Sequence, residues 1–199
     1  MTVVALLLAI LPFYLLGAFP TGVLVAKLHG IDITSQGSGN VGATNVARVV
    51  GKRAGVLTLV GDVAKGAIGA AVAQLCFGDT WAAAAASAAV VVGHCFSVPP
   101  YLKGGKGVAT AIGVIAVLDP VTALVAVATF ACSFAASKIV SLSSLLAALV
   151  VPTFALVMNL PDAVTIALGV VAAVVIFRHR ENIQRLIEGR EPRFQAKQG

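Results

Sequence analysis

The lysine and arginine residues of this chain lie almost entirely on one side of a series of apolar segments. The sequence contains 14 lysines and arginines. All of them except Lys65 fall in connectors that alternate with a second set, whose charged residues are only Asp79, Asp119 and Asp162. Cytoplasmic loops of membrane proteins are enriched in lysine and arginine. The pattern therefore predicts a polytopic membrane protein with its N-terminus outside and its C-terminus in the cytoplasm.

Seven apolar segments make up most of the chain. They cover approximately residues 2–26, 54–77, 80–97, 107–118, 120–137, 141–158 and 161–177. A spanning helix needs about 20 residues, so the fourth segment is short and must be tilted or begin before Lys106. We predict an all-α fold with seven transmembrane helices, which form one domain over residues 1–199.

A six-crossing alternative would fuse residues 107–137 into one long span. That arrangement would leave either Lys138 or the basic tail outside, against the charge pattern. Asp119-Pro120 also interrupts the stretch, because the residue before a proline is disfavoured in helical conformation. Both arguments favour seven crossings.

Composition excludes a soluble domain and favours anionic partners. The sequence is 59% hydrophobic and 11% charged, whereas soluble domains carry about 25% charged residues. The formal net charge of +6 is spread over loops without interleaved aromatic residues, which argues against nucleic acid and favours membrane lipids or anionic substrates. Three scattered histidines without a convergent carboxylate pair offer poor metal ligands, so we expect no metal and no cofactor.

The first polar motif, residues 35–48, has the composition of an anion-binding loop. Gly37, Gly39 and Gly42 spell G-x-G-x-x-G, but that string indicates dinucleotide binding only after a strand, and here it lies between membrane segments. Glycines let backbone N–H groups turn toward an anion. The motif adds neutral donors and one guanidinium fork suited to phosphate: Ser38, Asn40, Thr44, Asn45 and Arg48. A polar interfacial loop without binding function is the alternative.

The second motif, residues 103–110, places two lysines on a glycine-rich turn that enters an apolar segment. It reads Lys103-Gly104-Gly105-Lys106-Gly107, with Thr110 three residues later. Such a turn before a helix is a plausible phosphate cradle. A basic turn that simply obeys the topological rule is the alternative.

The third motif, residues 178–182, follows the last apolar segment. His179 and Asn182 are three residues apart, so on a continuing helix they share a face. At a phosphate site His179 would donate a hydrogen bond or carry charge. A basic anchor at the membrane surface is the alternative.

Three ionisable residues lie inside or beside the apolar segments. Asp62 and Lys65 are three residues apart, and groups of this kind are usually functional or paired with each other. His94 is at least as consistent with a packed histidine as with a catalytic one.

Together the motifs resemble the PlsY family of bacterial acyl-phosphate:glycerol-3-phosphate acyltransferases. Residues 37–48 read GSGNVGATNVAR, residues 93–110 read GHCFSVPPYLKGGKGVAT, and residues 178–182 read RHREN. Their order matches the family pattern, and the Asp62–Lys65 spacing fits it too. The stretch 97–103 departs from the pattern, because the family more often has an aromatic, proline-poor sequence there.

The resemblance implies transfer of a fatty acyl group from acyl phosphate to the 1-hydroxyl of glycerol 3-phosphate, the first step of phospholipid synthesis, on the cytoplasmic face of the bacterial inner membrane. It implies that the first motif binds glycerol phosphate, that Lys103, Lys106 and Thr110 serve phosphate or acyl phosphate, and that His179 and Asn182 complete the site. The catalytic set expected on this basis is His179, Asn182, Ser38 and Lys106. The substrate-binding set adds Gly39, Asn40, Thr44, Asn45, Arg48, Lys103, Gly104, Gly105, Gly107 and Thr110.

Two other classes of function remain as alternatives. A carrier for a phosphorylated organic anion would also suit broken membrane helices and glycine-rich loops, but the polar residues cluster at one face and no inverted repeat is visible. A structural membrane scaffold would leave the donors of the loops unexplained.

Overall fold

The computed structural model describes residues 3–98 and 103–194, and within these ranges every regular element is helical. The stretch 97–103, which departs from the family pattern just before the second motif, includes residues 99–102, which lie outside the described residues. A 3₁₀ turn covers Ile33–Ser35. The α-helices are α1 Val3–Ala18, α2 Thr21–Lys27, α3 Ala43–Val49, α4 Lys52–Cys76, α5 Thr80–Cys95, α6 Val108–Leu118, α7 Pro120–Ser137, α8 Val140–Val157, α9 Asp162–Arg178 and α10 Arg180–Ile187.

The number of membrane crossings is supported only in part. Four stretches among the described residues are long and apolar enough to span a membrane: Val4–Lys27, α4, α7 and α8. A fifth is added if α9 and α10, which are bent by 59° to each other, are counted as one span. Helices α5 and α6 are apolar but have only 16 and 11 residues. The chain is thus a multi-pass helical membrane protein, while seven crossings and the orientation stay predictions.

The predicted apolar segments correspond closely to helices, with two differences. The first segment is not one uninterrupted helix, because it breaks between Ala18 and Thr21, where Pro20 has no N–H to continue the ladder. The fourth segment does not begin before Lys106, because α6 starts at Val108. The helix is therefore about 16 Å long, too short to cross the hydrocarbon region without help from its flanks.

The Asp119-Pro120 boundary divides α6 from α7 as predicted. The Asp119 carboxylate accepts from the Thr122 N–H at 2.8 Å and from the Thr122 hydroxyl at 2.5 Å. Pro120 occupies the first turn of α7, where its missing N–H costs nothing. Residues 107–137 therefore do not form one continuous helix.

Small residues form the buried contacts between helices, while many large apolar residues lie on the outer surface. Helix α5 is central, and most of its alanines are buried against α1, α4, α6 and α9. Helices α4 and α6 approach so closely that a Cβ on Gly66 would lie 2.2 Å from the Thr110 carbonyl oxygen. Leu7, Leu75 and Leu124 are exposed. This arrangement is typical of membrane helices, which pack through small side chains and present large ones to lipid.

Candidate active site

The three motifs meet at one end of the helix bundle, and the second motif joins the other two. The Lys103 ammonium donates to the Thr34 carbonyl oxygen at 3.0 Å, beside the first motif. The Lys106 ammonium donates to the Asn182 side-chain oxygen at 2.5 Å. The predicted gathering of the motifs on one face is therefore present in the structure.

The first motif is held in shape by the side chain of Asn45. Its amide oxygen accepts from the Ser38 N–H at 3.0 Å, and its amide nitrogen donates to the carbonyl oxygens of Gln36 and Asn40 at 3.0 and 2.9 Å. Gly37 and Gly39 have positive φ values of 61° and 68°, which favour glycine. Asn45 is buried, so the structure gives it a positioning role, and direct contact with substrate stays a prediction.

The other members of the first motif leave polar groups available for a ligand. Arg48 is half-buried on α3, and its guanidinium has no hydrogen bond or ion pair within the described part of the chain. Ser38 is exposed, and Thr44 is half-buried. Asn40 uses its side-chain oxygen to accept from the Gly42 N–H at 2.9 Å. A guanidinium without a partner next to such donors is suited to an anion.

The second motif is fastened to the end of α9 by Arg178. The guanidinium donates to the carbonyl oxygens of Gly105 and Gly104 at 3.1 and 3.0 Å. Gly107 caps α6 with a φ of +83°, so the glycine-rich turn enters a helix as predicted. Arg178 was not among the predicted site residues, although it stands within the RHREN string.

Lys106 and Asn182 belong to a polar network that extends into the C-terminal tail. The Asn182 amide nitrogen donates to Glu191 at 2.5 Å, and the same carboxylate accepts from Ser141 at 2.7 Å and from Arg185 at 2.6 Å. Glu191 and Ser141 were missed from the sequence. The only available signal was a carboxylate within a mainly basic tail, which does not indicate its partners.

Two groups of this network have shifted pKa values. Burial lowers the pKa of Lys106 to about 8, although Glu191 partly opposes the shift. Burial of Glu191 raises its pKa, but hydrogen bonds from Ser141, Asn182 and Arg185 outweigh this effect and the pKa of the carboxyl is lowered from its ordinary value. At neutral pH the network therefore contains a carboxylate and an ammonium whose charge is available to an anion.

His179 does not lie on a continuing helix, which corrects that prediction. Helix α9 ends at Arg178 and α10 starts at Arg180 with a bend between them. The His179 ring Nδ1 lies 2.8 Å from the Val175 carbonyl oxygen. Because a carbonyl only accepts, Nδ1 must carry the proton. His179 and Asn182 are nevertheless both buried at this end of the bundle.

A neutral His179 ring favours a different role from the predicted donation to a phosphate, which stays a prediction. The residue follows the end of α9, and burial lowers the pKa of its ring to about 4. The ring is therefore neutral near pH 7, and its Nε2 is a hydrogen-bond acceptor. Donation from Nε2 to a phosphate would require a second proton, which the nearby Lys106 charge opposes.

Among the predicted site residues, Thr110 has the side chain least accessible to a ligand from outside the protein. It is fully buried, and its hydroxyl has no hydrogen-bond partner among the described residues. Its backbone packs against Gly66 of α4. A role in substrate binding stays a prediction.

An apolar cavity lies between α6, α7, α8 and α9, directly beneath the third motif. Its upper end is formed by Val108 and Ser144 and by Val175, the residue whose carbonyl contacts His179. Ile115 and Val151 line the lower end. The other lining residues are Ala111, Ile112, Ala126, Ala147, Ala148, Val171 and Ala172.

The sequence and the fold both match known glycerol-3-phosphate acyltransferases. Residues 7–189 match the family model described as glycerol-3-phosphate acyltransferase. A protein of that name from Geobacter sulfurreducens is 46% identical over 185 residues, with 92% of this chain and 94% of the relative covered. One from Aquifex aeolicus is 44% identical over 182 residues, with 91% and 95% covered.

Two solved structures share the fold. Both are crystal structures of PlsY, described as an integral membrane glycerol 3-phosphate acyltransferase, one in its glycerol 3-phosphate form and one in its lysophosphatidic acid form. Their TM-scores to this chain are 0.90 and 0.88, at 43% sequence identity and with 96% of each chain covered. This chain therefore belongs to the PlsY family of glycerol-3-phosphate acyltransferases, integral membrane enzymes of phospholipid synthesis.

Proposed function

We propose that this enzyme transfers a fatty acyl group from an acyl phosphate to the 1-hydroxyl of sn-glycerol 3-phosphate, and releases lysophosphatidic acid and inorganic phosphate. The observation that carries the proposal is the junction of three donor-rich motifs directly above an apolar cavity. The donor-rich motifs suit two phosphate anions, and the apolar cavity suits one acyl chain. The glycerol 3-phosphate and lysophosphatidic acid forms of the related PlsY support the acceptor and the product.

The first motif binds the phosphate of glycerol 3-phosphate in this proposal. Arg48 supplies a bidentate fork, and Ser38, Gly39, Asn40 and Thr44 add neutral donors. The second motif, with Lys103, Lys106 and the backbone of residues 104–107, neutralises the phosphate of the acyl donor. Asn45 and Arg178 position the two motifs, since their polar groups contact the chain itself.

The reaction does not need a strong protein base. An acyl phosphate is already activated, because phosphate is a good leaving group. The glycerol hydroxyl oxygen attacks the acyl carbon, the bond from that carbon to the phosphate oxygen breaks, and a phosphate oxygen takes the hydroxyl proton. Charge neutralisation by Lys106 and positioning of the two substrates then carry most of the rate.

His179 helps to orient glycerol 3-phosphate in this scheme, while the proton of the attacking hydroxyl stays directed to the phosphate oxygen that takes it. Its neutral Nε2 accepts a hydrogen bond, while a pKa of about 4 makes the ring a weak base at neutral pH. Asn182 holds Lys106 in place and adds polar contact at the same point.

The proposed topology has seven crossings, with the site at the cytoplasmic face of the inner membrane. The one-sided lysine and arginine distribution supports this orientation. Both phosphorylated substrates would then reach the site from the cytoplasm. We treat residues 1–199 as one membrane domain, since α5 contacts helices from both halves of the chain.

The acyl chain of the donor occupies the apolar cavity in this proposal. Along α8 the cavity runs from Ser144 to Val151, a length of about 10 Å. Two residues that line the cavity, Val108 and Val175, stand close in the chain to Lys106 and His179, so the cavity begins near the polar site. Its lining contains almost no polar groups, which suits a hydrocarbon chain.

Bulky residues in the cavity are expected to change the preference for acyl-chain length. Val151→Phe at the lower end should reduce activity with hexadecanoyl phosphate about tenfold relative to octanoyl phosphate, since an obstruction of this size is comparable to one or two lost methylene contacts. Ala147→Phe, closer to the site, should reduce activity with both donors. The measurement is lysophosphatidic acid formed per unit time with each acyl phosphate.

Leu149→Phe is the matched control on α8, because Leu149 is exposed on the lipid-facing side. It should leave the ratio of the two rates unchanged. If the folded Val151 and Ala147 variants both keep the wild-type ratio and rates, the acyl chain lies elsewhere.

A further inference from the structure

A buried cluster of charged and polar groups lies beneath the first two motifs, apart from the groups assigned to substrate. The Lys65 ammonium lies 2.9 Å from the Asp62 carboxylate, so the two residues are paired, which was one of the two alternatives that their spacing left open. His94 Nδ1 lies 3.6 Å from the same carboxylate oxygen. All three side chains are almost fully buried. Stability alone does not account for such a pair, because apolar residues of similar volume are often equally or more stabilising.

The cluster contacts the break between α1 and α2. The Lys65 ammonium donates to the Phe19 carbonyl oxygen at 2.9 Å, and the Ser97 hydroxyl donates to the Ala18 carbonyl oxygen at 3.2 Å. These carbonyls lie where the helical ladder stops at Pro20. The Phe19 carbonyl oxygen also accepts from the Thr21 N–H at 3.0 Å, so it keeps a partner without Lys65. The two long-range side-chain contacts nevertheless tie the break to α4 and to the end of α5, and so fix its position.

The break in turn determines where the first motif sits. Helix α2 packs directly on that motif, since a Cβ on Gly22 would lie 1.8 Å from the Val41 carbonyl oxygen. Val41 and Lys103 line one narrow cleft together with Asp62, Lys65 and His94. A shift of the break would therefore move residues 37–48.

The same cluster supports the second motif through His94. The His94 carbonyl oxygen accepts from the Gly105 N–H at 2.9 Å. The His94 ring fills the space beside Gly105, where an added Cβ would lie 2.0 Å from Nε2. One buried cluster is thus in contact with the supports of both phosphate-binding motifs.

We infer that the Asp62–Lys65 pair, with Ser97, is a positioning device that sets the distance between the first and second motifs, and so the affinity for glycerol 3-phosphate. None of these residues needs to touch substrate. The inference rests on the proposed assignment of glycerol phosphate to the first motif. It predicts a loss of affinity without a loss of fold.

The test compares binding and stability in the double variant Asp62→Leu/Lys65→Met, which replaces the pair by apolar residues. Its unfolding temperature in detergent should be equal to or above that of the wild type. The Kd for glycerol 3-phosphate, measured by calorimetry without an acyl donor, should rise about tenfold or more. The kcat at saturating substrates should change less than about threefold, because the reacting groups are unaltered.

Ser97→Ala gives a second measurement that leaves the ion pair intact. It removes only the hydrogen bond to the Ala18 carbonyl and should raise the Kd for glycerol 3-phosphate about threefold. Ser87→Ala is the control, since Ser87 is buried on α5 and its hydroxyl donates to the Ala83 carbonyl oxygen of the same helix. It should leave the Kd unchanged.

A folded double variant with the wild-type Kd overturns the inference. If the double variant does not fold, an unchanged Kd in Ser97→Ala overturns it. Wild-type protein that binds glycerol 3-phosphate but forms no product from acyl phosphate would count against the proposed donor and not against this positioning device.

Discussion

Arg48→Lys is expected to lower kcat/KM for glycerol 3-phosphate about tenfold or more, equivalent to about 1.4 kcal/mol of transition-state stabilisation. Lysine keeps the charge but loses the planar fork that matches a phosphate bidentately. Arg48→Ala removes both and should cost about a hundredfold, as expected for a lost charge-assisted contact. Steady-state kinetics with acyl phosphate held at saturation would measure both effects.

Arg53→Lys is the matched control for this comparison. Arg53 stands at the start of α4 and is exposed, so the change should leave kcat/KM near the wild-type value. Near wild-type activity in Arg48→Lys would show that charge alone is sufficient at this position, and the bidentate contact would have to be abandoned.

His179→Ala is expected to lower kcat/KM about tenfold to a hundredfold, the cost of leaving a buried polar partner without its hydrogen bond. His179→Gln should retain substantially more activity, because the glutamine side-chain oxygen also accepts a hydrogen bond. The ring pKa of about 4 means that His179 stays neutral from neutral pH down to about that value. The pH profile should therefore show no step near the ordinary histidine pKa of about 6.5.

An essential general base at His179 would give a different pattern. Its loss usually costs about 10²–10⁴-fold, and glutamine could not replace it. Equal, near-complete inactivation of the folded alanine and glutamine variants, together with disappearance of a pH step present in the wild type, would contradict the substrate-assisted scheme.

Much of the fold could be predicted because the hydrophobic pattern and the charge asymmetry dominate in a membrane. The boundaries at Asp119-Pro120 and at the ends of α7 to α9 follow from local signals. The break at Pro20 was not predicted, because the surrounding residues are continuously apolar. Its position depends on contacts from Lys65 and Ser97, which are distant in sequence and close only after folding.

The site was predicted to the extent that its residues form compact strings. The meeting of the three motifs followed from their common side of the membrane, and the Lys106–Asn182 contact is consistent with it. Glu191, Ser141 and Arg178 were missed because their contacts form only when separate parts of the chain meet in the fold. The tautomer of His179 was not predicted, since it is set by the Val175 carbonyl at the end of α9.

The most direct test of the account is product analysis with purified protein in detergent micelles, supplied with acyl phosphate and glycerol 3-phosphate but without ATP, coenzyme A or added metal. We predict lysophosphatidic acid and inorganic phosphate in equal amounts, formed without any sealed compartment. Micellar protein that forms neither product, while the same protein in vesicles exchanges glycerol 3-phosphate across the bilayer, would contradict the account and favour a carrier.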